Sequence, residues 1–133
     1  MAQLPPILIV DDDADDVFIL RRLLVKAGVK NKTVSFEDPV AAVMHLTAVI
    51  RSGETLFIPC ATFTDLNMRG MSGIKFTQWA RSQSALASMR IVMVSSSENP
   101  KDQAAAIAAG ADRYFVKYPA ASALERLVAE FKC

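Results

Sequence analysis

At 133 residues, with 52% hydrophobic and 22% charged side chains, the chain suits one globular domain and excludes a disordered tail or a pair of ordinary domains. Its 15 Lys and Arg nearly cancel 14 Asp and Glu, so no global field recruits nucleic acid or an anionic membrane surface. The first residues lack a positive region followed by a long apolar core, and no apolar run approaches a membrane span; a cytoplasmic protein is expected. Cys60, in an expected strand, and Cys133, at the terminus, do not suggest a disulfide framework, and Cys60 reads as a small core residue.

In chain order, Pro5-Pro6 ends a short tail and Ile7 to Val10 is a first strand, a continuous apolar run of the kind buried on both faces of a parallel sheet. Asp13 can cap a helix whose first turn carries Asp15 and Asp16, where the macrodipole favours negative charge. Val17, Leu20, Leu24 and Ala27 recur on one face of it, and Gly28 supplies the stop. Thr33 to Phe36 is a second strand. Asp38-Pro39 then places a cap before proline at the first helical position, opening a helix that carries Val43, Leu46 and Ile50 and fades before Gly53. His45 is expected on its outer face. Pro59, allowed at the start of a strand, precedes a third strand running to Asp65.

Leu66 to Gly73 is too rich in glycine for regular structure and is expected to wrap the end of that strand. Ser72 can cap the next helix, which carries Ile74, Phe76, Trp79 and Ala80, and Arg90 to Val94 is a fourth strand. Asn99-Pro100 repeats the cap-then-proline device before an alanine-rich helix that stops at Gly110. Tyr114 to Val116 is a fifth strand, and Leu124, Leu127, Val128 and Phe131 form the core stripe of a last helix. Strands alternating with helices, without repeats or linkers, select an α/β fold with a parallel sheet covered by helices on both faces.

In such a sheet ligands bind beyond the carboxyl ends of the strands. The first strand ends in Asp11-Asp12-Asp13 and the third in Asp65, while the fourth and fifth end in Ser95 and Lys117. Carboxylates about 4 Å apart repel by roughly 4 kcal/mol at an effective dielectric near 20, a cost that a hard divalent cation relieves. A carboxylate can attack phosphorus to give an acyl phosphate, with a metal and a lysine neutralising the phosphoryl oxygens. A hydroxyl that moves to meet the added charge can carry a signal outward. Singly, each piece has a plainer reading: an acid run is often a helix cap, the serines an ordinary loop, the lysine a solvated side chain.

Taken together, Ile9-Val10-Asp11-Asp12, Asp65-Leu66-Asn67-Met68 with Gly73, Val94-Ser95-Ser96 and Tyr114-Phe115-Val116-Lys117 resemble the receiver domain of two-component response regulators over nearly the whole chain. The resemblance implies a doubly wound, flavodoxin-like five-stranded sheet of order 2-1-3-4-5 with five helices. It implies Asp65 as phosphoacceptor, with Mg²⁺, or Mn²⁺ in its place, held by Asp12, Asp65 and the carbonyl of Asn67, and with Asp11 acting through water. Ser95 matches the switch hydroxyl, Ser96 the small residue whose N–H faces the phosphoryl group, Lys117 the lysine that pairs with it, and Tyr114 the aromatic whose rotamer accompanies activation. Asn67 and Ser97 fall where the family modulates acyl-phosphate hydrolysis. The implied donor is a sensor histidine kinase or a phosphotransfer protein.

Two positions depart from the pattern. Arg69 stands where receivers usually have proline, adding a cation beside the acids. Tyr118 separates Lys117 from Pro119, where receivers usually carry a cis lysine–proline peptide; either a cis Lys117–Tyr118 peptide or a shifted loop is expected. The longer segment between the second and third strands, with Asp15-Asp16-Val17, is similar to stand-alone receivers that serve phytochrome-type kinases. With residues 1–133 read as one receiver and no output domain, a downstream protein is the expected target. The small, apolar helix from Gln103 to Ala109 suggests pairing through the last two helices and the fifth strand, with a partner or as a homodimer.

Competing readings are a phosphorylation-independent receiver-like binding module, for which Arg69 and Tyr118 leave room, and a phosphatase resembling the haloacid dehalogenase superfamily. The latter would use Asp11 and Asp13 but leaves Asp65 unemployed, and only Glu125 and Glu130 follow the lysine as further acids. A flavin-mononucleotide protein of the same fold class would need a hydroxyl- and glycine-rich loop where this chain has acids.

Overall fold

A computed structural model describes residues 3–133. Five parallel strands, β1 (Ile7–Val10), β2 (Thr33–Phe36), β3 (Ala61–Thr64), β4 (Arg90–Ser95) and β5 (Arg113–Val116), form one sheet in the order β2-β1-β3-β4-β5. They alternate with α1 (Ala14–Lys26), α2 (Pro39–Ser52), α3 (Gly73–Arg81), α4 (Pro100–Ala109) and α5 (Ala121–Phe131). The apolar run of β1 and the Ala-Thr-Phe-Thr of β3 are wholly buried, as a sheet covered on both sides requires.

Side chains along each strand alternate between two cores. Leu8, Val10, Ile91 and Met93 pack with Ala42, Leu46, Phe76, Ala80 and Ala106 from α2, α3 and α4. Ile7, Ile9, Ala61, Phe63, Val92 and Val94 pack on the other face with Val17, Leu20 and Leu24 of α1 and Leu124 and Leu127 of α5. Full burial of side chains such as Phe63 and Phe76 contributes about 1.5–3 kcal/mol each. A one-residue slip of register would send each of these residues into the wrong core.

The helix starts follow the expected chemistry. Asp13, Asp38, Ser72 and Asn99 accept hydrogen bonds from Asp15, Val40, Lys75 and Lys101 backbone N–H groups, and Pro39 and Pro100 open α2 and α4. Gly73, the first residue of α3, is required by close approach. A Cβ there would lie 2.0 Å from the Asp65 carbonyl oxygen. Its absence lets the Gly73 N–H donate to the Leu66 carbonyl at 2.8 Å, bringing the start of α3 against the end of β3.

Several features correct the sequence expectations. Cys60 and Cys133 form a disulfide across 73 residues, where none was expected. α5 runs back along the sheet and returns the chain terminus to the start of β3, a long-range return with no local signature. His45 does not stand clear on the outer face of α2; it is half-buried, its ring 5.1 Å from that of Phe36 at the sheet edge. Two short 3₁₀ turns, Thr55–Phe57 and Ser84–Leu86, lie in the connections before β3 and β4. The Lys117–Tyr118 peptide is cis, one of the two expected alternatives. None of the helices among the described residues is long and apolar enough to cross a membrane.

Candidate functional site

The carboxyl ends of β1, β3 and β5 bring Asp11, Asp65 and Lys117 together at one edge of the sheet. Paired residues Val10 and Thr64 end β1 and β3 in register, so Asp11 and Asp65 leave the sheet side by side. Lys117 follows the last residue of β5, and its N–H donates to the Ser95 carbonyl at 2.9 Å, which locks the fifth strand's exit to the fourth. The Lys117 ammonium lies 3.3 Å from Asp11 and 3.4 Å from Asp65. Its shortest contact, 2.6 Å, goes to Asp16 in the first turn of α1. Carboxylate oxygens of Asp11, Asp16 and Asp65 all lie within 4.8 Å of one another.

The acids are anchored by backbone. Asp11 accepts from the Asp13 N–H at 3.0 Å and Asp65 from the Leu66 N–H at 2.7 Å. Burial dominates their titration: it pushes Asp11 up to about 6, with the Asp65 charge adding to it and the Asp13 N–H and Lys117 opposing. Burial likewise lifts Asp65 above the usual carboxylate range, against the pull of Lys117 and the Leu66 N–H. Burial also acts on Asp16, but hydrogen bonds from Lys117 and Tyr118 outweigh it and hold this carboxyl below its ordinary value. For Lys117 the burial penalty is overcome by Asp16, Asp65 and Asp11, so the ammonium is held above the ordinary lysine value. The Tyr118 phenol, which donates to Asp16, is pushed up to about 12 by that bond.

Asp12 faces a different way. Its carboxylate accepts from the Arg69 N–H at 3.0 Å and lies 3.8 Å from the Arg69 guanidinium. That guanidinium is 92% exposed, so the backbone bond, and not the ion pair, is what orients Asp12. Asn67 is exposed in the same loop. At the far side, Ser95 is buried at the end of β4 and its hydroxyl accepts from the Ser97 N–H at 3.1 Å. Ser96 beside it is exposed. Tyr114 is half-buried, packs against the α2, α3 and α4 core, and donates its phenol to the Ser97 carbonyl at 2.9 Å.

Lys117 therefore contacts both Asp11 and Asp65, Asp12 and Asn67 stand in the flanking segments, and Ser95, Ser97 and Tyr114 form a second connected group. Asp16 and Tyr118 were not picked out from the sequence as site residues. A signal for Asp16 was available: it stands four and eight residues before Leu20 and Leu24, in line with the inward row of α1.

The response regulator receiver domain model matches residues 7–129. This chain belongs to the response regulator receiver family. Solved structures agree with the fold. A bacteriophytochrome response regulator, RtBRR, superposes with a TM-score of 0.81 at 26% identity, over 98% of this chain and 80% of that one. The signal receiver domain of a DNA-binding response regulator from Colwellia psychrerythraea 34H gives 0.80 at 23% identity, over 96% and 97%. The Mn²⁺-bound form of response regulator Rcp1 gives 0.73 at 20% identity, over 96% and 91%. Receiver domains are signalling phosphoacceptors of two-component systems that interact with histidine kinases or phosphotransfer proteins and with downstream targets, and they bind Mg²⁺ or Mn²⁺ at an acidic cluster. In this receiver the carboxylates of Asp11, Asp16 and Asp65 form an acidic group.

Proposed function

We propose that this receiver accepts a phosphoryl group on Asp65 from a phosphohistidine of a sensor kinase or phosphotransfer protein, and signals through Ser95 and Tyr114 to a protein-binding face. The observation that carries the reading is the Lys117 ammonium held within 3.4 Å of the Asp65 carboxylate at the shared strand edge. A carboxylate oxygen of Asp65 forms the new bond to phosphorus, the phosphorus–nitrogen bond of the donor breaks, and the departing imidazole takes up a proton. Lys117 faces the oxygens that gain charge.

The donor set fits a hard divalent ion. It consists of carboxylate oxygens, and burial has left Asp11 reluctant to ionise, a cost that a cation would relieve. Asp12, Asp65 and the Asn67 carbonyl would hold Mg²⁺ or Mn²⁺, with Asp11 acting through water and Asp12 giving up its bond to the Arg69 N–H. Bound there, the ion supplies further neutralisation of phosphoryl charge. Ser96 offers its backbone N–H from the exposed loop after β4.

The same contacts suggest how the signal leaves the site. A phosphoryl oxygen accepts the Ser95 O–H, and turning that hydroxyl toward it withdraws the Ser95 oxygen from the Ser97 N–H and frees Ser97. Displacing Ser97 removes the acceptor of the Tyr114 phenol and alters the surface between α4 and β5. Ile107 of α4, half exposed, lies on that side and gives an apolar contact for a target protein or a second copy.

The test is intact mass after incubation with Mg²⁺ and acetyl phosphate. A single phosphoryl adduct, absent in Asp65→Asn and after chelation, is expected. No adduct under conditions where Mg²⁺ binding is measured by calorimetry would overturn the proposal and favour a phosphorylation-independent module.

A further inference from the structure

Lys117 makes its closest contact with a residue other than the phosphoacceptor. Its ammonium is 2.6 Å from Asp16 but 3.4 Å from Asp65. The second oxygen of the Asp16 carboxylate accepts the phenol of Tyr118, so one acid on α1 bridges two consecutive residues of the loop after β5. Neither member is loosely placed: the Lys117 and Asp16 side chains are 11% and 17% exposed. Asp16 also sits in the first turn of its helix, where backbone N–H groups favour an anion.

We infer that Asp16, fixed by Tyr118, is a positioning residue that holds Lys117 in the resting site and competes with the phosphoryl group for it. The inference rests on Asp65 being the phosphoacceptor. An ammonium held by two carboxylates and a third at short range has little free charge to offer. A phosphoryl group on Asp65 presents dianionic oxygens to the same ammonium. Whatever affinity Asp16 has for Lys117 is then subtracted from the pairing of Lys117 with the phosphoryl group. Asp16 also adds a negative charge to a pocket that must admit an anionic donor, so it opposes phosphorylation twice over. For a divalent cation the sign reverses: Asp16 shares the Lys117 ammonium that Asp11 and Asp65 would otherwise hold alone, and it contributes negative charge of its own.

These opposed signs separate competition from a merely structural role, which would lower both properties together. With acetyl phosphate at saturating Mg²⁺, Asp16→Asn is expected to label about fivefold faster than wild type, the size of one weakened charge-assisted contact. Its Mg²⁺ affinity by calorimetry, without any phosphodonor, is expected to fall about threefold. Tyr118→Phe keeps the ring and all charges, loosening only the far oxygen of Asp16. It should label about twofold faster with unchanged Mg²⁺ affinity, and it tests the idea even if Asp16→Asn folds poorly. A labelling rate in both variants equal to or below that of a labelled wild type would overturn the inference and leave the phosphoacceptor reading intact. An unlabelled wild type would remove that reading, and the inference with it.

Discussion

Asp11→Asn isolates the cost of building this site. In the folded protein Asp11 is buried and its carboxyl is displaced from 3.8 to about 6, a difference equivalent to about 3 kcal/mol. A carboxyl whose pKa is raised by folding contributes its full stability below the unfolded value, and that contribution is lost as pH rises through the folded value. Wild-type stability from this group is therefore present below about pH 4 and lost by about pH 7, the folded protein being forced to hold a buried anion. Asparagine keeps an oxygen for the Asp13 N–H and carries no charge. Urea unfolding with a chelator present, at pH 4, 5, 6 and 7, is expected to show the variant gaining on wild type through this window, by up to about 3 kcal/mol at the top. Saturating Mg²⁺ at pH 7 should narrow the gap, because the ion stabilises the ionised site of the wild type more than that of the variant. A difference that is flat with pH, or a variant less stable than wild type at pH 7 without metal, would show that folding does not penalise the Asp11 anion.

Two further perturbations probe the supports of the site. Gly73→Ala forces a methyl group to 2.0 Å from the Asp65 carbonyl oxygen, backbone that has little room to give. A loss of about 3 kcal/mol in urea unfolding and slower acetyl phosphate labelling are expected, and unchanged stability would contradict the close approach. The Cys60–Cys133 disulfide closes a loop of 73 residues, for which chain entropy gives about 4 kcal/mol. Dithiothreitol should lower the urea midpoint of wild type but not of Cys60→Ser, and two titratable thiols in the unreduced, unfolded wild type would show that the bond does not form.

The sheet and its cores were legible because local and global signals agree. Continuous apolar strands ending in Asp11 and Asp65, caps at Asp13, Asp38, Ser72 and Asn99, and prolines at the first turns of α2 and α4 all select the same topology. The convergence of Asp11, Asp65 and Lys117 followed from that topology alone, since strand ends in a parallel sheet share one edge. What escaped was set by side-chain direction. Asp16 had an adequate reading as a first-turn anion, and only the inward row of α1 aims it at Lys117. Arg69 was read as a cation beside the acids, yet it is its backbone N–H, across 57 residues, that holds the Asp12 carboxylate. The disulfide depends on where α5 returns the terminus, which no spacing of two cysteines encodes.

If Asp65 accepts the phosphoryl group, chemical trapping will find it there. After acetyl phosphate labelling with Mg²⁺, borohydride reduces an aspartyl phosphate to homoserine, and peptide mass mapping locates the reduced residue. Homoserine is expected at position 65 alone, dependent on donor and metal. Homoserine at Asp11, Asp12 or Asp16, or none despite bound Mg²⁺, would contradict it.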